Sequence, residues 1–304
     1  MLTGFINLLK PPGFTSHDVV QALRRLLNEK RIGHGGTLDP LACGVLPIAI
    51  GKATRLLEYI QSEGKTYRVE FLLGLRTDTQ DISGRVLSSR DCSHISYEEL
   101  QKAANLFTGE IQQTPPMFSA VHYKGRRLYE LARQGVEVER PSRTVTIHKF
   151  KIIKWWRESP YIRVLADVSC SKGTYIRTLG DDWGNYLGCG ATMTLLIRSK
   201  SGVFEVGDSW TLEEIKYCIE KEKWDFILPL TTGISFMPRV IVTKEKITSI
   251  INGVPISLIG CEKLSKLELG DLVRIENSQG KLLAVGIVES KNNELCLKPK
   301  KVFK

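Results

Sequence analysis

The sequence predicts an α+β fold, in which strands and helices mix, followed by a small C-terminal β-barrel. Apolar residues alternate along residues 67–73 and Tyr161–Cys170, which is typical of strands that pack on one face. Apolar residues recur at helical spacing over residues 174–187, and Gly188 stands where a helix commonly ends. After Ser235, short β-like runs are separated by glycines, which favours a barrel.

The remaining elements of the first part follow from local signals. Residues 15–29 predict a helix, since Thr15 with Asp18 three residues later forms a capping pattern. Residues 31–40 are dense in glycine and predict a loop, and a second helix is expected to start near Ala53.

Two further stretches complete the order of elements. Residues 97–107 have a helical pattern, and the prolines of residues 113–116 require a loop. Residues 123–143 carry many cations interleaved with tyrosines. They fit either a solvated face or a flap that binds a nucleic-acid strand.

Length and charge indicate two domains and a polyanionic partner. The chain has 304 residues, which suits two domains, and we place the boundary near residues 230–236. The net charge is +10, and half of it lies in the tail that starts at Ser235. A basic balance favours nucleic acid because each phosphate contact releases counterions, although many soluble proteins are mildly basic without this function.

Several function classes lack their signatures. The seven cysteines contain no CxxC pair, which argues against a zinc site and fits reduced thiols in a cytoplasm. No apolar run approaches the length of a membrane span. A Walker loop, a GxGxxG fingerprint and a GxSxG elbow are also missing. We therefore expect no cofactor, no metal and a cytoplasmic location.

Asp39 is the first candidate for chemistry. It follows a run of glycines and precedes Pro40, which biases its backbone toward extended geometry. A carboxylate in this setting fits a nucleophile or a base, and the alternative is an ordinary Asp-Pro turn. His34 lies in the same loop and is either structural or available to stack on a base.

Several motifs in one order resemble those of a single family, the TruB family of tRNA pseudouridine synthases. The strongest is residues 33–47 (GHGGTLDPLACGVLP), which resembles the family's catalytic segment. The other similar segments are residues 10–16 (KPPGFTS), 65–67 (KTY), 113–116 (QTPP), 119–131 (SAVHYKGRRLYEL) and 171–177 (SKGTYIR). The tail resembles a PUA domain, a small RNA-binding barrel, so the resemblance spans nearly the whole chain.

The resemblance implies a pseudouridine-synthase catalytic domain with a mixed sheet over residues 1–232. It includes an RNA-gripping insertion at about residues 113–146, and a PUA-like domain follows over residues 236–304. The implied reaction converts one uridine of the tRNA T-loop, position 55, into pseudouridine. It breaks the bond from N1 to C1′, rotates the base and joins C5 to C1′, without metal or cofactor.

The resemblance also assigns roles to residues. Asp39 is the expected catalytic carboxylate, and Arg177 is expected to pair with it. Tyr67 is expected to stack on the target base and to take part in removing the C5 proton. The expected substrate-binding residues are His34, Tyr175, Leu196, Lys10, Arg126, Arg127 and Arg198. The family commonly has two arginines after the leucine at Leu196, where this chain has Ile197 and Arg198.

The expected partner is tRNA, bound through its T-arm by the insertion and through its acceptor end by the C-terminal domain. The expected enzyme is a monomer that needs no protein partner. Two alternatives stay open: a guide-RNA-dependent relative, which shares this catalytic core, and a non-catalytic RNA-binding or RNA-folding protein. The basic insertion argues for the standalone type, and the set Asp39, Tyr67 and Arg177 argues for retained chemistry.

Overall fold

A computed structural model describes residues 2–263, 266–291 and 294–303. The helices are Ser16–Leu27 (α1), Leu57–Ser62 (α2), Tyr97–Leu106 (α3), Leu128–Arg133 (α4), Ile176–Tyr186 (α5), Leu212–Glu220 (α6) and Lys244–Ile251 (α7). The strands are Gly4–Lys10 (β1), Ile32–His34 (β2), Cys43–Ile50 (β3), Lys65–Leu73 (β4), Leu75–Thr77 (β5), Val86–Ser89 (β6), Gly109–Gln113 (β7), His122–Tyr123 (β8), Arg126–Arg127 (β9), Arg143–Glu158 (β10), Tyr161–Cys170 (β11), Ala191–Ser201 (β12), Phe204–Glu205 (β13), Arg239–Ile241 (β14), Ile256–Ser257 (β15), Glu262–Lys263 (β16), Leu272–Glu276 (β17), Leu282–Lys291 (β18) and Glu294–Val302 (β19).

The first part of the chain is built on one large mixed sheet. Its strands run in the order β1-β3-β12-β4-β11-β10-β7, with β2 paired to β3 and β13 paired to β12. The pairs along it are antiparallel except β3 with β12, which run parallel where Cys43 and Gly44 face Ile197 and Arg198. The α+β prediction is therefore confirmed. The parallel contact places β12 beside the start of β3, shortly after the glycine-dense segment.

The local signals place α1, α3 and α5 correctly, whereas the helix expected to start near Ala53 begins as a 3-10 helix over Gly51–Leu56 and becomes α2 at Leu57. Thr15 accepts a hydrogen bond from the Asp18 amide, and the Asp18 side chain accepts one from the Thr15 amide, so the predicted capping box starts α1. The start of α3 repeats this box with Ser96 and Glu99. Gly188 has φ +80 directly after α5, as a C-terminal glycine requires.

The predicted strands β4 and β11 pair with each other and carry the main core. Val69 faces Ala166 and Tyr67 faces Val168 across the pair, and all four side chains are buried. Helix α5 covers this face. The centroid of the Trp183 ring lies 5.9 Å from that of Phe71 and 5.3 Å from that of Phe150. The alternation seen in the sequence therefore marks the side of the sheet on which α5 lies.

Four long strands, β1, β3, β10 and β12, escaped the sequence patterns, and one predicted loop is partly a strand. Strand β3 is buried along almost its whole length, so it has no polar alternation to identify it. Strand β10 contains two register shifts, which interrupt its alternation. The segment predicted as a loop over residues 31–40 begins with the short strand β2, because its first residues pair with the end of β3.

The tail forms a second sheet, of order β15-β19-β18-β17-β14-β16. The β-like runs predicted there correspond to β17, β18 and β19, each longer than its sequence pattern. This sheet packs on the first one through a shared apolar cluster that includes Phe5, Val45, Val285 and Phe303. The exact domain boundaries stay a prediction. Within the part of the chain that is described, no helix is long and apolar enough to cross a membrane.

Candidate active site

Asp39 lies on the loop between β2 and β3, and the backbone on both sides of it is anchored. Before it, the Leu38 amide donates to the Ser16 hydroxyl of α1 at 2.9 Å. After it, the Pro40 carbonyl accepts hydrogen bonds from the Gly13 amide at 2.8 Å and from Lys10 Nζ at 3.3 Å. The carboxylate is therefore presented from a fixed backbone rather than from a free turn.

Arg177, in the first turn of α5, grips this carboxylate with two parallel hydrogen bonds. Its Nε donates to Asp39 Oδ2 at 2.8 Å and its Nη2 donates to Asp39 Oδ1 at 3.2 Å. The Arg177 side chain is 4% exposed, whereas that of Asp39 is 34% exposed. The buried guanidinium of Arg177 thus orients a carboxylate that stays accessible from outside. The pairing expected between these residues is present in the structure.

The Arg177 guanidinium makes further contacts that the sequence did not reveal. It donates to the Thr79 carbonyl at 2.8 Å and to the Phe118 carbonyl at 2.9 Å. A second carboxylate, Asp81, lies 3.7 Å from it and is itself largely buried. These groups come from loops that no local pattern connects to α5, so only the folded chain shows them together.

Helix α5 is itself held in place at its start and on its side. The Gln113 side chain, fully buried, accepts from the Tyr175 amide at 2.7 Å and donates to the Tyr175 carbonyl at 3.1 Å. Farther along, Asp181 accepts two hydrogen bonds from Arg76, at 2.9 and 3.2 Å. Gln113 falls in a motif noted in the sequence, but its partner was not predictable from there.

Tyr67 lies on β4 in the apolar cluster that also contains Leu38 and Leu196. Arg198 is its register neighbour where β4 pairs with β12. Burial raises the pKa of the Tyr67 phenol, and the Arg198 guanidinium opposes that shift. The structure therefore brings Tyr67 and Leu196 into one apolar cluster with the residue next to Asp39.

His34 ends β2, and its ring is largely shielded. Burial lowers the pKa of His34, and the nearby Arg198 lowers it further, so the neutral imidazole is favoured. Its Nδ1 is buried without a protein partner among the described residues. Tyr175, by contrast, is half-buried, and the Arg143 guanidinium lies 4.8 Å from its ring centroid. The roles expected for His34 and Tyr175 in binding substrate stay predictions.

Lys10 and Arg198, both expected to bind substrate, are buried side chains. Lys10 Nζ donates to the carbonyls of Pro11 and Phe14 as well as Pro40, and burial lowers its pKa to about 8. Arg198 is 1% exposed and donates to backbone carbonyls. A direct contact of either residue with substrate stays a prediction. The structure shows that both side chains donate hydrogen bonds to backbone carbonyls.

The basic insertion is a surface feature. Lys124 and Gly125, both with positive φ, form the turn between β8 and β9, and α4 follows. Arg126 and Arg127 are exposed on β9. The guanidinium groups of Arg127 and Arg133 lie 5.9 and 5.6 Å from the Tyr129 ring centroid. Cations and aromatic rings thus alternate on an exposed hairpin and helix.

No metal site accompanies these residues in the part of the chain described. Over residues 2–263, 266–291 and 294–303, no cluster of three or more His, Cys, Asp or Glu side chains has the geometry to hold a metal ion.

Comparison with solved structures agrees with this fold. The structure of an H/ACA RNP bound to a substrate RNA containing 2′-deoxyuridine matches with a TM-score of 0.76 and 27% identity, covering 99% of this chain and 85% of that chain. A crystal structure of a Cbf5-Nop10-Gar1 complex matches with a TM-score of 0.75 and 29% identity, again over 99% of this chain and 85% of that one.

Comparison of the sequence with known families identifies the class of enzyme as the pseudouridylate synthases. Residues 24–176 match the family model "TruB family pseudouridylate synthase (N terminal domain)", and residues 177–235 match "tRNA pseudouridylate synthase B C-terminal domain". A tRNA pseudouridine synthase B of Moorella thermoacetica is 57% identical over 100% of both chains. Another from Heliobacterium modesticaldum is 45% identical over 99% of this chain and 96% of its own. The chain belongs to the TruB family, and it is an isomerase of that class.

Proposed function

We propose that the protein converts one uridine in the T-loop of tRNA, position 55, into pseudouridine, with Asp39 as its essential carboxylate. The family and the curated relatives support the coarser activity, uridine isomerisation in tRNA. The choice of the T-loop and of Asp39 is our extension of it. It rests on the motif around Asp39 and on the geometry of the site.

The reaction needs a carboxylate that is held in position and reaches the reacting nucleotide. The bond from N1 to C1′ breaks, C5 forms a bond to C1′, and the proton on C5 is lost while N1 gains one, so atoms and electrons balance. Asp39 has the required properties, since Arg177 orients it with two hydrogen bonds and a third of its side chain stays exposed. This accessible, clamped carboxylate is the observation that carries the proposal.

The surroundings of Asp39 suit a detached uracil. Tyr67, Leu38 and Leu196 share one apolar cluster, and a tyrosine ring offers a stacking surface for a base. An apolar wall keeps a cleaved base from exchanging into water. The target must leave its stack to reach this wall, which costs on the order of a few kcal/mol. We expect the neutral ring of His34 to occupy the space that the flipped base leaves.

The insertion at about residues 113–146 supplies the grip on the RNA backbone. Arg126 and Arg127 are exposed on β9, and their neighbours combine cations with tyrosine rings. Exposed cations of this kind contact phosphates, and aromatic rings stack on unpaired bases. We expect the insertion to hold the T-arm and the C-terminal sheet to touch the acceptor end. We also expect a cytoplasmic monomer.

A guide-dependent enzyme is the second candidate, and the match to the H/ACA RNP structure favours it. That match has 27% identity, whereas the tRNA pseudouridine synthase B of Moorella thermoacetica is 57% identical over the full length. The exposed basic insertion also offers this chain an RNA grip of its own. We therefore favour the standalone enzyme. A non-catalytic RNA-folding protein would have no need for the pair of Asp39 and Arg177.

The test uses purified protein alone with an unmodified tRNA transcript and no guide RNA. Pseudouridine is mapped by chemical derivatisation and primer extension. The proposal predicts one new pseudouridine, at position 55 of the T-loop, and none in a transcript that carries cytidine there. Pseudouridine elsewhere in the tRNA would refute the site. An inactive protein that still binds the transcript would favour the guide-dependent or the purely binding alternative.

A further inference from the structure

Arg198 is an almost fully buried cation near the site, and its guanidinium faces one segment of backbone. The side chain is 1% exposed. Its Nη2 donates to the Gly36 carbonyl at 3.1 Å, and its Nη1 donates to the Thr37 carbonyl at 3.2 Å. Its Nε donates to the Val45 carbonyl at 2.7 Å. One guanidinium therefore binds the chain before Asp39 and the chain after it.

The backbone of Arg198 is equally close to this segment. Gly44 faces Arg198 where β3 and β12 run parallel. Gly44 has φ +110, and a Cβ atom there would lie 2.3 Å from the Arg198 carbonyl oxygen, so only glycine fits. Both the main chain and the side chain of Arg198 thus close the loop that carries Asp39.

The same side chain reaches Tyr67. Arg198 faces Tyr67 in the register of β12 with β4, and the Arg198 guanidinium opposes the rise in pKa that burial imposes on the Tyr67 phenol. Tyr67 otherwise lies among apolar neighbours, so Arg198 is the polar neighbour placed to orient its hydroxyl. The guanidinium of an arginine is planar and holds its donors in fixed directions, whereas the ammonium of a lysine does not.

We propose that Arg198 is a positioning residue that holds the Asp39 loop and the Tyr67 hydroxyl in one arrangement, and that it makes no contact with the RNA backbone. This rests on the proposed function, because Asp39 and Tyr67 are its proposed catalytic groups. Its full burial leaves no surface for a phosphate, and its donors already meet acceptors of the protein.

The test compares Arg198→Met and Arg198→Lys with a control variant, Arg68→Met. Arg68 also lies on the large sheet, but it is exposed and pairs with Asp167. Three quantities are measured: the dissociation constant for a T-arm stem-loop, the single-turnover rate at saturating enzyme, and hydrogen exchange of the amides in residues 35–45. Arg198→Lys keeps the positive charge but lacks the planar guanidinium. It therefore tests the role of the guanidinium even if Arg198→Met fails to fold.

The proposal predicts a specific split. Both Arg198 variants lower the single-turnover rate, the Met variant by about 100-fold, since small displacements of reacting groups have effects of this size. The dissociation constant stays within about threefold of wild type, because no phosphate contact is lost. Amides of residues 35–45 exchange faster in both variants. Arg68→Met matches wild type in all three quantities.

Three results would overturn the proposal. One is an unchanged single-turnover rate with weaker RNA binding, which would make Arg198 a phosphate contact. Another is a lost rate with unchanged exchange in residues 35–45. The third is a rate for Arg198→Lys equal to that of wild type. If wild type itself is inactive on the T-arm, the proposed function fails, and faster loop exchange in the variants still decides whether Arg198 clamps the loop.

Discussion

The cations around Asp39 and the cations of the insertion make opposite use of the same side-chain types. Lys10, Arg177 and Arg198 are buried and donate to carbonyls or to Asp39. Arg126 and Arg127 stand exposed on β9. A buried cation whose donors are satisfied fixes backbone geometry, whereas an exposed cation is available to phosphates. The first group should therefore control rate and the second should control affinity.

Among the cations, the largest effect is expected at Arg177. Arg177→Met removes both hydrogen bonds to Asp39, so the single-turnover rate should fall by about 100-fold or more, as when one charge-stabilising donor is removed. The dissociation constant for T-arm RNA should stay within about threefold. Quenched single-turnover assays measure the rate, and filter binding measures the dissociation constant. A variant that binds RNA poorly but reacts normally once bound would contradict the assignment of Arg177 to rate rather than affinity.

The insertion should show the reverse pattern. Replacing Arg126 and Arg127 together by glutamate should weaken T-arm binding by roughly 10- to 100-fold and lower the salt dependence of binding by about one unit of slope per lost phosphate contact. The rate at saturating enzyme should not change. Binding titrations at several salt concentrations check this. The control, Glu139→Gln in the same insertion, should not weaken binding.

Two neighbouring glutamines sharpen the contrast between buried and exposed polar groups. Gln113 is fully buried against Tyr175, whereas Gln112 beside it is exposed. Gln113→Leu leaves the Tyr175 amide without its partner and should lower the free energy of unfolding by about 1–3 kcal/mol. Gln112→Leu should change it by less than about 0.5 kcal/mol. Equal effects in denaturant titrations would contradict the proposed pinning of α5.

The smallest effect concerns pH. Burial lowers the pKa of Lys10 to about 8, and its ammonium bonds to three carbonyls, one of them Pro40. The pKa of Lys10 in the folded protein lies below the ordinary lysine value of 10.5, so the folded protein loses this proton at a lower pH than the unfolded chain does. We expect the single-turnover rate to decline a few-fold above about pH 8 as the anchor loses a donor. Lys10→Arg should remove the decline, and an unchanged decline would assign it to another group.

The sequence predicted those features that depend on neighbours along the chain. The capping box of Thr15 and Asp18, the alternation of β4 and β11, and the glycine after α5 are local, and each is confirmed. Strand β3 was missed because a strand buried on both faces has no alternation.

The site was predictable only through family resemblance. Asp39 and Arg177 are separated by 138 positions, and no spacing rule connects them. The burial of Arg198 was not predictable either, because its acceptors lie on β3 and on the loop before it, which meet β12 only in the folded chain. A basic residue in a motif reads as a phosphate contact until its neighbours are known.

Tritium release from C5-labelled uridine in a T-arm stem-loop tests whether Asp39 performs the chemistry. Wild type should release tritium without any partner. Asp39→Asn should bind the stem-loop normally and release tritium at least about 1,000-fold more slowly, as when an essential group is removed. Release by both proteins at similar rates would place the chemistry on another residue and contradict the account.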